Sequence, residues 1–407
     1  MDRLRNPFAP GAGTRPPELA GRQGIIDQAL LALHRIKAGR SERSPMLVGL
    51  RGVGKTVLLV EIRRRAETAG YQCLMVEARE RENLFRLLAP GLRRLLLSLD
   101  ESEARGDRVR RGMRVLQSFL STLKVRVGDA EFSLEGPKER GVADSGQIDS
   151  DLADMFLALA AAAQETGTAV AILLDELQYV SEAELSALIM AVHRIAQEGL
   201  PLIVIGAGLP QLAGKTGRAK SYAERLFVFP VVGPLSEPDA KTAIQEPARA
   251  EGAEFSAEAL SEIYLKTQGY PYFLQEWGSQ CWNGAPKSPI GVDTVARASQ
   301  LVIASLDASF FRVRFDRLTP REKDYLRAMA ELGPVPQRSG DIAQLLGTTS
   351  ERVAPLRASL ISKGMVYSPQ HGDTAFTVPL FDEFMKRTMS VFTTTPSPHA
   401  PPRSRKL

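Results

Sequence analysis

Short, wholly apolar runs alternate along the first half of the chain with longer stretches whose apolar residues recur every three to four positions. Runs of the first kind are Pro45–Gly49, Tyr71–Ala78, Ala169–Glu176, Leu200–Gly206 and Leu226–Pro230. Unbroken apolarity over four to eight residues marks a strand buried on both faces, as in a parallel sheet. The second kind predicts helices over Ile25–Ile36, Val57–Ala69, most of 79–126, the alanine-rich Asp151–Gln164, and Glu182–Gln197. Gly39 and Gly70 close the first two. In the first, Ile26, Ala29, Leu30 and Leu33 fall at helical spacing. Lys124–Val127 and Ala130–Leu134, on either side of Gly128-Asp129, predict a hairpin. Residues 136–150, rich in Gly, Pro, Asp and Ser, predict a loop. Strands alternating with helices predict an α/β domain with a parallel sheet covered on both faces.

From Ser236 the texture changes. Ser236 and Ser256 are helix caps, Gly269 ends the second helix and Asp293 starts a third, which predicts an all-helical block over 236–311. Thr319-Pro-Arg-Glu322 reads as a capping box with proline in the first turn. It opens a helix to Leu332, stopped by Gly333. Helices over Gly340–Leu346 and Thr349–Lys363 follow. Met365–Tyr367 and Ala375–Val378 flank a turn at Pro369 and Gly372. Three helices and a hairpin predict a winged helix-turn-helix over 312–392. The expected organisation is an extended leader (1–17), an α/β core (18–235) with a basic insertion at 79–150, a helical lid (236–311), the winged helix, and a disordered tail (393–407).

Composition adds little that would redirect this reading. With 407 residues there is room for several cores, and 44% hydrophobic against 24% charged is ordinary for a globular chain. The net charge of +5 permits acidic partners without requiring them. Arginine is dense between the second and third strands, where Arg110 and Arg114 stand four apart and Arg111 lies three from both Arg108 and Arg114. Such a face predicts sequence-tolerant, salt-dependent contact with duplex DNA. The two cysteines, Cys73 and Cys281, lie in apolar surroundings and read as reduced buried thiols. No apolar run reaches membrane-helix length and Met1–Pro7 is too polar for a signal peptide, so no membrane contact and a cytoplasmic place are expected.

The candidate chemistry sits at the first strand. Gly49, Leu50, Arg51, Gly52, Val53, Gly54, Lys55 and Thr56 spell G-x-x-x-x-G-K-[ST] between a strand and a helix, and Val57 continues into that helix. The glycines let the backbone turn tightly and aim N–H groups at phosphate oxygens. Lys55 then reaches the β/γ-phosphates, and the Thr56 hydroxyl holds Mg²⁺. Ile172–Glu176 delivers two acids to the carboxyl end of the sheet, where ligands of open α/β sheets gather. Asp175 is expected to orient Mg²⁺, and Glu176 to activate the water that attacks the γ-phosphate. No N-K-x-D guanine motif is present, which favours ATP and ADP as ligands.

These features resemble the AAA+ and STAND group of P-loop ATPases, especially the initiator-like branch with a core, a helical lid and a winged helix. The resemblance covers roughly 15–390. Gly49–Thr56 matches Walker A and Ile172–Glu176 matches Walker B. Pro17–Arg22 resembles the adenine-contacting segment, which implies nucleotide roles for Gly21 and Arg22. Gly269-Tyr270-Pro271 resembles the G-x-P at which the lid meets the nucleotide, which implies the same for Tyr270 and Pro271. Arg225, just before the fifth strand, stands where such families place an arginine finger. Two departures matter. The fourth strand ends in Gly206-Ala-Gly208 instead of a polar sensor, for which Gln178 or Gln211 could substitute. The lid also lacks the usual arginine near Gly269. Both fit a slow, switch-like ATPase better than a motor. Two functional classes follow: a switch acting on DNA, with oligomerisation possible on ATP binding, or a signalling ATPase whose winged helix is autoinhibitory and whose partner is a protein. A phosphotransferase is a third. The winged helix itself predicts little base reading. Val353, Leu356 and Leu360 form its inward stripe, and Glu351, Pro355, Ala358, Ser359 and Ser362 its outward face, where DNA readers present Arg, Lys, Asn or Gln.

Overall fold

The computed structural model describes residues 1–11, 13–100, 107–122, 139, 141–370 and 372–392. The expected hairpin over 124–134 and tail over 393–407 lie outside the described residues. The chain divides into two compact units, one of Arg22–Gly49 with Gly54–Val232, the other of Met1–Gly21, Leu50–Val53 and Gly233–Leu407.

The first unit runs α1 (Gln23–Lys37), β1 (Ser44–Val48), α2 (Lys55–Thr68), β2 (Tyr71–Glu77), α3 (Leu84–Asp100), α4 (Asp107–Thr122), α5 (Ile148–Glu165) and β3 (Ala169–Asp175). It continues through a 3₁₀ turn (Leu177–Tyr179), α6 (Glu182–Glu198), β4 (Leu202–Gly208), α7 (Gln211–Ala219), α8 (Ala223–Leu226) and β5 (Phe227–Val228). All five strands are parallel, in the order β2-β3-β4-β1-β5. Every residue of β1, β3 and β4 is buried, as their unbroken apolarity requires. The register aligns Glu77 with Asp175, Leu174 with Gly206, and Val48 with Gly208, so β1, β3 and β4 end at one edge. The predicted strands are all present. β4 runs two residues further than its apolar run, because glycine and alanine still pair, and β3 stops one residue short, at Asp175.

Helix ends are fixed by local chemistry and, in one place, by a distant residue. Ser181 caps α6 in a reciprocal box with Glu184. The buried Glu184 carboxylate accepts from Ser181 N at 2.9 Å and from Leu84 N at 2.7 Å, so it also caps α3, 100 residues away in sequence. The arginines of α4 are paired within the fold. Arg110 bonds Asp107 at 2.7 Å, while Arg111 and Arg114 both reach Glu139, at 3.3 and 2.8 Å. The two thiols are free, Cys281 buried and Cys73 half-buried, and burial pushes both up to about 12.

In the second unit, α9 (Glu237–Ala250), α10 (Ala257–Thr267), α11 (Pro271–Gly284) and α12 (Val292–Leu306) precede a π turn (Asp307–Phe311) and α13 (Arg312–Phe315). Ser236 and Ser256 cap α9 and α10 as expected. Trp277 and Trp282 are fully buried and their indole N–H groups are satisfied, by Ser299 Oγ at 2.9 Å and the Asp2 carbonyl at 2.8 Å. The first residues therefore pack into this unit: Phe8 is buried against Phe255, ring centroids 6.2 Å apart, and the Asn6 amide bonds Ser279 and Asn283. Then come α14 (Pro320–Leu332), β6 (Gln337–Arg338), α15 (Ser339–Leu345), α16 (Ser350–Ser362), β7 (Val366–Tyr367), β8 (Asp373–Phe376) and α17 (Phe381–Thr388). β8 pairs antiparallel with both β6 and β7. The Thr319 box is present. Neither β6, two residues long, nor α17 was anticipated from the pattern. Among the described residues, no helix is long and apolar enough to cross a membrane.

Candidate nucleotide site

The glycine loop leaves β1 with the Gly49 N–H donating to the Gly208 carbonyl at 3.1 Å, which seats its start beside the end of β4. Gly52 and Gly54 take φ of +80° and +95°, a left-handed conformation that glycine adopts without strain. Gly54 is the N-cap of α2 and gives no side-chain bond, so the first N–H groups of α2 are uncapped by it and suited to an anion. Lys55, only 6% exposed, donates its Nζ to the Gly49 carbonyl at 3.0 Å.

Thr56 and Asp175 are 119 residues apart in sequence, yet the Thr56 hydroxyl donates to Asp175 Oδ2 at 2.6 Å. Asp175 Oδ1 accepts the Glu176 N–H at 2.8 Å. Burial raises the Asp175 pKa above the ordinary aspartate value, and the two hydrogen bonds and the Lys55 charge counter it only in part. A hydroxyl and a buried carboxylate make an oxygen donor set of the kind Mg²⁺ takes alongside phosphate oxygens. Among the described residues no cluster of three or more His, Cys, Asp or Glu offers a different metal site.

Glu176 was expected to end the strand. Instead it turns out of it, at φ 55° and ψ 38°. Its carboxylate accepts a short bond from Gln178 Nε2, and Gln178 Oε1 accepts the Leu209 N–H at 3.1 Å. Lys215 holds this turn by donating to the carbonyls of Gln178, at 3.1 Å, and Val180. Gln211, the other glutamine singled out from the sequence, opens α7 with its Oε1 buried and unbonded.

Leu50–Val53, the tip of the loop, belongs with the second unit. There Tyr270 is fully buried and its ring lies against Gly52: a Cβ at that position would come within 2.8 Å of the ring. Its hydroxyl is buried without a hydrogen bond, and burial pushes its pKa up. Gly269 must be glycine, because it takes φ +70° and a Cβ would stand 2.1 Å from the Leu235 carbonyl oxygen. Pro271 is the first residue of α11, half-exposed. Gly21 also takes a left-handed conformation, close against the Asp239 carboxylate, and Arg22 is buried at 8% exposure as the N-cap of α1. Arg225 is exposed on α8.

One residue near this loop, Arg314, reads in the sequence, together with Arg312, Arg317 and Arg321, as a phosphate contact or a solvated face, and not as part of this site. It comes from α13, just past the 236–311 block, and its guanidinium lies 3.8 Å from the Phe310 ring centroid. Burial first, then the Arg51 charge, push it down to about 10, against the opposing pull of Tyr270 and Tyr272.

Residues 18–205 match the AAA ATPase domain family, and residues 308–385 match a domain of unknown function (DUF8462). Residues 18–205 thus form a P-loop ATPase domain of the AAA+ type, as the loop and the acidic strand implied. No curated protein matches the chain. Among solved structures, the Walker-type ATPase PABY2304 of Pyrococcus abyssi is similar in fold. It aligns with 92% of this chain and 97% of its own at 17% identity, with a TM-score of 0.55. The Aeropyrum pernix Orc1 protein in complex with DNA aligns over 91% and 94% at 18% identity and a TM-score of 0.45. The Thermotoga maritima RuvB Holliday junction branch migration motor aligns over 93% and 99% at 15% identity and 0.44.

Proposed function

We propose that the protein binds ATP with Mg²⁺ and hydrolyses it slowly, as a conformational switch. The observation that carries this reading is the 2.6 Å bond between Thr56 and Asp175 at the foot of the glycine loop. Lys55 would leave the Gly49 carbonyl for the β/γ-phosphates, while the N–H groups of Gly52, Val53, Gly54, Lys55 and Thr56 would face phosphate oxygens. Mg²⁺, when bound, neutralises charge on those phosphates; Thr56 would hold it directly and Asp175 would orient it. Glu176 would take the proton of the attacking water. Gly49, Leu50, Arg51 and Val57 complete the loop's surroundings. Gly21, Arg22, Tyr270 and Pro271 are the contacts we assign beyond the phosphates. Arg225, exposed on α8, suits a role in trans between assembled copies.

We assign residues 236–311 as a helical lid and 312–392 as a winged helix, supported by helices α14, α15 and α16 followed by the β7–β8 hairpin. For its partner a specific observation favours protein over DNA. Two of the basic side chains of α16 and its end are engaged internally. Arg357 bonds Thr374 and Ser368 at 2.7 Å and the Asp373 carbonyl at 2.8 Å, and Lys363 bonds Glu322 at 2.7 Å. Ser359, expected on the outward face, also turns to Glu322, at 2.7 Å. A helix whose cations hold its own wing has few left for base edges. The winged helix is therefore read as a switch element whose position follows the nucleotide and whose target is a protein.

The test is single-turnover hydrolysis of ATP with enzyme in excess, together with solution mass measured with an ATP analogue and with ADP, each with and without duplex DNA. A nucleotide-dependent change of mass or shape without DNA supports the switch. No hydrolysis and no nucleotide-dependent change would overturn it, and salt-dependent retention on duplex DNA would return the partner to DNA.

A further inference from the structure

We propose that Gln178 positions the Glu176 carboxylate and ties it to the end of β4, so that one glutamine supplies the polar group that β4 itself lacks. This rests on the reading of Glu176 as the base. The end of β4, Gly206-Ala-Gly208, offers no polar side chain beside β3. Its glycines have a different use. A Cβ on Gly206 would stand 2.5 Å from Leu177 Cδ1 and one on Gly208 3.2 Å from Gln178 Oε1. The small residues of β4 thus make room for the turn that follows Glu176, and through that room Gln178 crosses to the neighbouring strand's end.

The bonds of Gln178 fix its amide in one sense. Nε2 donates to the Glu176 carboxylate, which can only accept, and Oε1 accepts from the Leu209 N–H, which can only donate. Flipping the amide would lose both bonds. Its backbone is held as well, since Lys215 donates to the carbonyls of Gln178 and Val180. Glu176 is therefore anchored at both ends: its N–H on Asp175 Oδ1 and its carboxylate on Gln178. Its left-handed backbone is strained for a residue with a Cβ, a strain that persists only where surroundings impose it. With Oε2 committed to Gln178, Oε1 is the oxygen that meets the water's proton. Gln211 gives Glu176 no bond.

The experiment compares the parent with Gln178→Ala, Gln178→Glu, Gln211→Ala and Glu176→Gln. It uses single-turnover hydrolysis, calorimetry with Mg-ATP, and amide exchange at Leu209 in the nucleotide-free protein. Gln178→Ala is expected to slow hydrolysis about 10- to 100-fold, the usual consequence of a misplaced reacting group, with ATP affinity kept within about threefold and faster exchange at Leu209. Gln178→Glu keeps the shape and the Leu209 bond but sets a second carboxylate against the first. It should slow hydrolysis about 10- to 100-fold as Gln178→Ala does, while exchange at Leu209 and ATP affinity stay as in the parent, a split that a purely structural role would not cause. Gln211→Ala should behave as the parent. If Gln178→Ala and Gln178→Glu both hydrolyse like the parent, while Glu176→Gln is inactive, the proposal falls and the base reading stands. If Glu176→Gln is as active as the parent, the base reading itself falls. Should Gln178→Ala unfold, the isosteric Gln178→Glu still decides.

Discussion

Asp175 and Glu322 are carboxylates shielded almost equally from solvent, 3% and 2% exposed, yet their pKa values move in opposite directions. Burial disfavours the charged form of both. At Asp175 it prevails: the bonds from Thr56 and Glu176 come from neutral donors, and the pKa stays above its ordinary value. At Glu322 burial is again the largest single influence. It is outweighed by the Lys363 ammonium at 2.7 Å, the Ser359 hydroxyl, and the Thr319 N–H and hydroxyl, which together bring the carboxyl down to about 2. Glu322 is a joint completed inside the fold, linking the start of α14 to the end of α16. Asp175 gains most from a cation that arrives with a ligand. A buried acid at the edge of a sheet declares itself functional less by its burial than by the neutrality of what is bonded to it.

The largest effect expected on the Asp175 side is from its neighbour. Glu176→Gln should keep ATP binding and lose hydrolysis by about 10²–10⁴ in single-turnover rate, the range for a positioned general base. Hydrolysis at the parent rate would separate the two acids of β3 in function. Lys55→Ala should weaken Mg-ATP by roughly 100-fold or more, as befits removal of a charged partner of a phosphate. Calorimetry reads this directly, and an unchanged affinity would make the loop structural.

Next in size are two substitutions that should move stability in opposite directions. Glu322 is depressed from 4.5 to about 2 in the folded chain. Its contribution is therefore fully present above about pH 4.5 and lost as pH falls toward 2. Glu322→Gln should lower stability at pH 7 by on the order of 2 kcal/mol, and the deficit should close near pH 2. Denaturant titrations at pH 7 and near pH 2 measure both. Asp175 is raised instead, so its charged form burdens the fold above that raised value and the burden lifts as pH falls through it. Asp175→Asn should then stabilise the nucleotide-free protein at pH 7, by about 0.5–2 kcal/mol, the common gain from relieving a functional site. It should also raise the Mg²⁺ concentration needed for ATP binding about 10- to 100-fold, as loss of an orienting partner does. If both substitutions destabilise alike, the contrast between the two acids is wrong.

The smallest expected effect concerns α4. The sequence alone would have Arg110, Arg111 and Arg114 contribute up to about three units of salt slope on duplex DNA, at roughly 0.9 per phosphate. Asp107 and Glu139 already occupy these side chains. Neutralising all three should now change the slope by less than about one unit. A salt titration on two unrelated duplexes would show it, and a drop near three units would mean that the ion pairs open for phosphate.

What could be read from the residues alone was local. The glycine loop, the apolar strands, the caps at Ser236, Ser256 and Thr319, and the stops at Gly39, Gly70 and Gly333 depend on neighbours within a few positions, where periodicity and side-chain chemistry act directly. Asp175 and Glu176 were legible for the same reason, as acids closing an apolar run. Which groups would meet was not. The bond from Thr56 to Asp175, the capping of α3 by Glu184, the occupation of Arg357 by its own wing and of Arg114 by Glu139, and the reach of Gln178 from the turn after β3 to Leu209 each close loops of 16 to 119 residues. No periodic pattern records such closures. They are chosen by the order of strands in the sheet and by the room that small residues such as Gly206 and Gly208 leave between them, so only the folded chain decides which polar group finds which partner.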